Sequence, residues 1–104
     1  MPNLASLEKL LHGPRDNALL RHAIGLLHLE AGAADCAAPF FADAVARDPD
    51  FSAGWKMLGK ARQQLGDMTA ARVAYQRGID VAEKRGDLQA AKEMKVFLRR
   101  LEPR

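Results

Sequence analysis

The chain has 104 residues, of which 48% are hydrophobic and 28% charged, a balance typical of one soluble globular domain rather than of a disordered chain. Its net charge of +3 is modest for a dedicated nucleic-acid binder, and its single cysteine excludes an intramolecular disulfide and a cysteine-rich zinc site. The apolar stretches are far shorter than the ~20 residues of a membrane span, and charges interrupt the N-terminal leucines where a secretory leader needs an apolar core. We therefore expect a cytoplasmic protein that has no membrane partner.

The first predicted helix covers residues 3–12 and carries leucines at helical spacing along one side. These are Leu4, Leu7, Leu10 and Leu11. The sequence His12-Gly13-Pro14 ends the helix, because glycine and proline disfavour its continuation. We expect this helix to flank a larger helical unit.

Residues 18–51 are predicted to form two helices joined by a turn at Gly32. The second helix begins near Ala34 or Asp35 and ends before Pro49, because the residue before a proline disfavours the helical conformation. Pro39 fits a helix interior poorly, so we expect an irregular start or a bend there, with Asp35 as the cap. The residues expected to point inward from this second helix are Ala37, Phe41, Ala44 and Val45.

Residues 52–85 repeat the plan of residues 18–51 at a constant offset. Ser52 is predicted to cap the first helix of this unit, and Gly66-Asp67 to form its turn. Small residues match small ones, and an aromatic residue matches an aromatic one. The pairs at this offset are Asp16–Asp50, Ile24–Leu58, Gly25–Gly59, Gly32–Gly66, Ala37–Ala71, Phe41–Tyr75, Ala44–Gly78 and Val45–Ile79.

Gly25 and Gly59 fall in the middle of predicted helices, where glycine costs about 1 kcal/mol relative to alanine. Their recurrence at one register predicts that each lets a partner helix approach closely. The small residues expected opposite them are Ala37 and Ala71, and the rings expected to fill the wider part of each helix pair are Phe41 and Tyr75.

The last predicted helix covers residues 87–101 and follows Gly86. One side is apolar and the other carries Lys92, Lys95 and Arg99, as a helix needs when it closes the end of a stacked array. This helix contributes to an uneven charge, since residues 1–51 carry −3 and residues 52–104 carry +6.

The two units resemble the tetratricopeptide repeat, a short helix–turn–helix with set residues at fixed offsets. The second unit supplies Trp55, Leu58, Gly59, Gly66, Ala71 and Tyr75, and departs from the pattern at Arg62, Gly78 and Glu83. The first unit supplies Gly25, Gly32, Ala37, Phe41, Ala44 and Pro49, and departs at Arg21 and His28, where tryptophan and tyrosine are usual. The resemblance, to a small bacterial-type domain, implies an all-α fold. In it, antiparallel hairpins stack as a short right-handed α-solenoid of two units plus two flanking helices.

The resemblance also implies a non-catalytic interaction module, whose first helices line a concave groove that receives a segment of another protein. Carried onto this chain, the groove residues are Leu19, His22, Leu26, Leu29, Lys56, Met57, Lys60, Gln63 and Gln64. Lys56 and Lys60 are one turn apart, so they share a face on which an acidic peptide could dock, or they are ordinary solvated lysines. No asparagine lies in this set, which disfavours the clamp for C-terminal carboxylates known in the family.

Two other functions stay open at this point. The acidic half of one copy could meet the basic half of another, giving a self-associating structural unit. Binding of nucleic acid through the last helix is disfavoured by the modest total charge. Catalysis is not expected, and residues 54–61 only imitate a phosphate-binding loop, because Ala61 has no hydroxyl for a magnesium ion.

Two histidines and the single cysteine are candidate metal ligands or reactive groups. His22 and His28 lie six positions apart, so they do not share a helix face, and no metal site or cofactor is expected. His28 is predicted to pack between the two units. Cys36 is predicted to be a small buried apolar residue rather than a reactive thiol.

Overall fold

The computed structural model describes residues 3–102, which contain six α-helices and no strand, so the predicted all-α class is confirmed. The helices are α1 (Leu4–Glu8), α2 (Ala18–Glu30), α3 (Ala34–Arg47), α4 (Ser52–Gln64), α5 (Met68–Lys84) and α6 (Leu88–Leu101). The first helix is shorter than the predicted 3–12, because the backbone after Glu8 continues as turns.

Two antiparallel hairpins, α2 with α3 and α4 with α5, form the body of the fold. Helix α4 also packs against α3 and joins the hairpins, and α6 packs against α5. The first helices of successive units, α2, α4 and α6, contact one another in that order. They form one layer of the molecule, which measures 44 × 29 × 22 Å.

The turns after α2, α4 and α5 each contain a glycine in the left-handed backbone conformation. Gly32, Gly66 and Gly86 have φ values of +79°, +81° and +78°, a conformation that side chains with a Cβ adopt only at a cost. In each turn the following N–H donates back to the last helical turn, as in the bond from Asp67 N to the Arg62 carbonyl of 3.0 Å. These turns reverse the chain and set the antiparallel hairpins.

Side-chain caps differ from those predicted. Asn17 accepts a hydrogen bond from Leu20 N of 2.8 Å at the start of α2. Neither Ser52 nor Asp35 caps a helix, since each lies inside one, and the residues at the two N-cap positions make no side-chain cap bond. The side chains of Asp67 and Asp87 cap α5 and α6. Helix α3 continues through Pro39.

The core confirms the glycine register and corrects its packing. A Cβ on Gly25 would lie 2.7 Å from the Phe41 ring, and one on Gly59 would lie 2.5 Å from the Tyr75 ring. Both rings are fully buried. The glycines therefore make room for the rings themselves, whereas the prediction placed the rings in a wider part of each helix pair, away from the glycines.

Cys36 is exposed, and the prediction of a buried cysteine is wrong. The adjacent Ala37 is fully buried instead. The Cys36 side chain is rotated from that of Ala37 by about 100° around the helix axis, which turns it to the solvent side of α3.

Candidate peptide-binding groove

The candidate groove lies along the layer formed by α2, α4 and α6. Since α6 contacts α4 directly, three helices rather than two build this surface. The predicted groove residues divide into a charged and polar group on α4 and an apolar group contributed mainly by α2.

Both lysines of α4 are engaged by side chains of α6. Lys56 Nζ lies 2.9 Å from Glu93 Oε1, and the Lys56 side chain is 27% exposed. Lys60 Nζ lies 4.9 Å from the centroid of the Phe97 ring, within the range of a cation–π contact. The two lysines therefore share a face, as the spacing predicts, but α6 limits the freedom of both.

The two glutamines of the predicted set have different surroundings. Gln63 is half-buried, and its Oε1 accepts a hydrogen bond of 3.0 Å from the Tyr75 hydroxyl. Gln64 is exposed and lines a shallow depression of about 350 Å³ together with Lys60, Gln63 and Met68. Gln64 is thus free to meet a ligand, while Gln63 also holds the buried phenol.

The apolar residues of the set are unequally exposed. Leu19 is 67% exposed, so most of its side chain faces solvent. Leu26, Leu29 and Met57 are half-buried and pack against the core of the two hairpins. A ligand in the groove would meet the outer edges of these three side chains and the whole of Leu19.

His22 does not line the groove and leaves the candidate set. It is 8% exposed, with its ring centroid 4.7 Å from that of Phe51 and 5.4 Å from that of Phe41. Its Nδ1 has no hydrogen-bond partner among the described residues. Burial, and then the charge of Lys56, lower the pKa of His22.

His28 also differs from its prediction. Its ring stacks on Phe40 of α3 at a centroid distance of 5.6 Å and an interplanar angle of 18°. The contact lies within the first hairpin rather than between the two units, because α3 supplies an aromatic residue opposite the last turn of α2.

Sequence reasoning missed Glu93 and Phe97 as partners of the groove lysines. They lie four residues apart on α6, the same spacing as Lys56 and Lys60 on α4. That matched spacing was a usable signal, because two helices lying side by side bring residues one turn apart into register.

Across residues 3–102, no cluster of three or more histidine, cysteine, aspartate or glutamate side chains is arranged to hold a metal ion. In the same range, no helix combines the length and the apolar character that crossing a membrane requires.

A TPR repeat-containing protein of Pseudomonas aeruginosa is 50% identical to this chain over 99 residues, which cover 95% of this chain and 94% of the relative. This chain belongs to the tetratricopeptide-repeat family. No profile of a known protein family matches the sequence. Tetratricopeptide-repeat domains are generally non-catalytic modules that bind proteins or peptides.

Solved structures agree with this assignment of the tetratricopeptide-repeat fold. A solution structure of a protein from Bordetella parapertussis has a TM-score of 0.82 and 42% identity, and the match covers 97% of this chain and 88% of that one. A tetratricopeptide repeat domain protein from Salinibacter ruber has a solution structure with a TM-score of 0.77 and 28% identity, over 88% of this chain and 91% of that one.

Proposed function

We propose that this tetratricopeptide-repeat domain is an adaptor that holds an extended or helical segment of another protein in the groove formed by α2, α4 and α6. The observation that carries the proposal is the exposed Leu19 on the same layer as Lys60 and Gln64. The groove thus offers an apolar contact at Leu19 and polar contacts at Lys60 and Gln64. These contacts suit a bound segment that is apolar at one end and acidic at the other.

The mechanism is recognition by shape and by a few charges. The groove helices are fixed by the buried rings of Phe41 and Tyr75, so little conformational entropy is lost on the domain side when a segment binds. Lys56 is bridged to Glu93, and a bound carboxylate would compete with Glu93 for it. Lys60 forms no ion pair with a carboxylate among the described residues and is the better anchor for an acidic side chain.

The experiment compares capture of proteins from a native lysate by the immobilised domain and by matched variants, with mass spectrometry as the readout. Leu19→Glu and Lys60→Glu change the groove, and Val73→Glu and Lys9→Glu make the same changes at exposed positions that neither candidate surface includes. We expect a partner that the two groove variants lose and the two control variants keep.

A partner set shared by all four variants, with far-UV circular dichroism unchanged, would refute the groove assignment. Reversal of Lys56 is avoided, because it would set a new carboxylate against Glu93 and disturb the contact between α4 and α6.

A second candidate is self-association through the outer face of α6. Leu88 and Val96 are 65% and 39% exposed on this helix, and Lys92 and Arg99 lie between and beside them. An acidic surface of a second copy would cover that mixture of apolar and basic groups. Light scattering across a series of salt concentrations tests this, and a monomer at low salt and high protein concentration would exclude it.

A further inference from the structure

A cleft lies between α3 and α5 on the side of the molecule away from the groove lysines. Among residues 3–102, no Cα atom of α3 lies within 8 Å of one in α5, and α4 packs against both helices. The gap has a volume of about 340 Å³, at the lower end of the range of ligand pockets. Its lining is formed by Ala42, Val45, Ala46, Pro49, Trp55, Leu58, Arg62 and Arg77.

The lining of this α3–α5 cleft combines six apolar residues and two arginines, and it includes no carboxylate. The guanidinium carbon of Arg77 lies 5.4 Å from the centroid of the Trp55 ring. Arg77 makes no ion pair or side-chain hydrogen bond with the described residues, and Arg62 gives one hydrogen bond, of 3.2 Å, to the Ala70 carbonyl. Neither arginine forms an ion pair with a carboxylate of the described residues, although Asp50 and Asp80 line the adjoining depression together with Arg77. A guanidinium without such a pair can bind a carboxylate through two parallel hydrogen bonds.

The equivalent positions of the first unit are closed by the protein itself. At the repeat offset, Arg21 is the equivalent of Trp55, and Asp43 is the equivalent of Arg77. Arg21 and Asp43 form an ion pair of 3.3 Å, and the Phe40 ring covers His28, the equivalent of Arg62. The first unit thus satisfies its charges internally, while the second unit keeps two arginines available for an external anion.

A second depression continues the cleft and favours a chain segment over a small molecule. It has a volume of about 230 Å³ and shares Pro49, Trp55 and Arg77 with the first. Its other lining residues include Asp50, Asp80 and Lys84, which can bond to the polar backbone of a peptide. A single small ligand would leave one of the two depressions empty.

We propose that the α3–α5 cleft is a second binding site, which takes a segment of a partner protein that presents a long aliphatic or aromatic side chain next to a carboxylate. The apolar side chain lies against Trp55 and the alanines of α3, and the carboxylate binds Arg77. This site is separate from the groove, so the two proposals stand or fall independently.

The test is an NMR titration of the ¹⁵N-labelled full chain with blocked Glu-Leu-Glu tripeptide. Trp55 is the only tryptophan, and its indole N–H donates to the Pro49 carbonyl at 2.8 Å, so a single indole signal reports on the cleft. We expect this signal and the backbone signals of Ala42 and Ala46 to shift in a saturable manner. Arg77→Gln should weaken binding at least about fivefold, since it removes a charge-assisted hydrogen bond, while Arg99→Gln, with the same charge loss on α6, should not.

Three results would overturn the proposal. The first is a response to blocked Lys-Leu-Lys or Glu-Gly-Glu equal to that of Glu-Leu-Glu. The second is equally tight binding of 4-methylpentanoate, which would reassign the cleft to a small carboxylate. The third is undiminished binding by a folded Ala42→Leu variant, whose larger side chain fills the cleft. Should that variant fail to fold, the comparison of Arg77→Gln with Arg99→Gln decides, and Leu19→Glu should leave the affinity unchanged.

Discussion

Arg21 and Trp55 occupy the same position in the two repeat units, and each ties its helix to the segment that precedes it. The guanidinium of Arg21 binds Asp16 through Nη2 at 2.7 Å and Nε at 2.9 Å. The indole of Trp55 donates to the Pro49 carbonyl at 2.8 Å. An ion pair in the first unit thus replaces an aromatic anchor in the second, which explains how the first unit tolerates its departure from the family pattern.

Arg21→Met should destabilise the protein more than Asp43→Asn. The Asp16 side chain is 6% exposed and loses its principal partner in the first variant, whereas Asp43 is 54% exposed and the contact between Arg21 and Asp16 survives in the second. Urea unfolding at neutral pH measures both changes. Equal losses would show that the Asp16 contact does not stabilise the fold.

The stability supplied by the pair of Arg21 and Asp16 should disappear in acid. The hydrogen bond from Arg21, and then that from His12 N, hold the pKa of Asp16 well below its ordinary value of about 3.9. A carboxyl whose pKa is lowered by folding stabilises the protein above the unfolded pKa and ceases to do so as the pH falls through the folded pKa. The difference between wild type and Arg21→Met should therefore narrow below about pH 4, and a constant difference would contradict this account.

Gly59→Ala should destabilise the protein by about 1–3 kcal/mol, although alanine is the better helix former. The new methyl group would lie 2.5 Å from the Tyr75 ring, which is fully buried and cannot move freely. Denaturant unfolding measures the loss, and the double variant Gly59→Ala with Tyr75→Leu should show less than the summed loss. Additive effects would show that the ring does not require the glycine.

His22 should make the protein less stable as the pH falls from about 7.5 to about 5.5. Burial, and then Lys56, lower the pKa of His22, so the unfolded chain, with a pKa of about 6.5, takes up the proton more readily. The stability is thus full above the unfolded pKa and decreases below it. His22→Phe, which suits the surrounding rings of Phe41 and Phe51, should flatten this dependence in urea unfolding. An unchanged slope in that variant would exclude His22 as the cause.

Tyr75 should resist ionisation in the folded protein. Burial raises its pKa to about 12, against about 10 in an unfolded chain, and it is the only tyrosine. Folding therefore favours the neutral phenol, and stability decreases as the pH rises above about 10. Phenolate absorbance at about pH 11 should be low in native buffer and high in concentrated urea. Equal absorbance, with native circular dichroism retained, would show that the phenol is accessible to solvent.

The fold class and the repeat register can be predicted from the amino-acid sequence alone. Helical periodicity marks which residues share a face, and the recurrence of Gly25 and Gly59 required a close approach at one place in each hairpin. The equivalence of Phe41 and Tyr75 follows from the same offset, because similar local patterns fold into similar hairpins. These features depend on residues close together in the chain, so a one-dimensional pattern contains them.

The residues that lie opposite each helix face depend on how the helices pack, and the sequence does not give this packing. The partner of Lys56 is Glu93, 37 residues further along the chain. The matched four-residue spacing on the two helices makes this pair possible, but the pairing depends on how α4 and α6 align. Whether Cys36 and His22 are exposed or buried depends on the direction in which each side chain leaves its helix. This direction turns by about 100° per residue, and the apolar periodicity locates the buried face only to within one or two residues. The cleft at Trp55 lies between two hairpins, and its shape depends on how the hairpins pack rather than on any local sequence pattern.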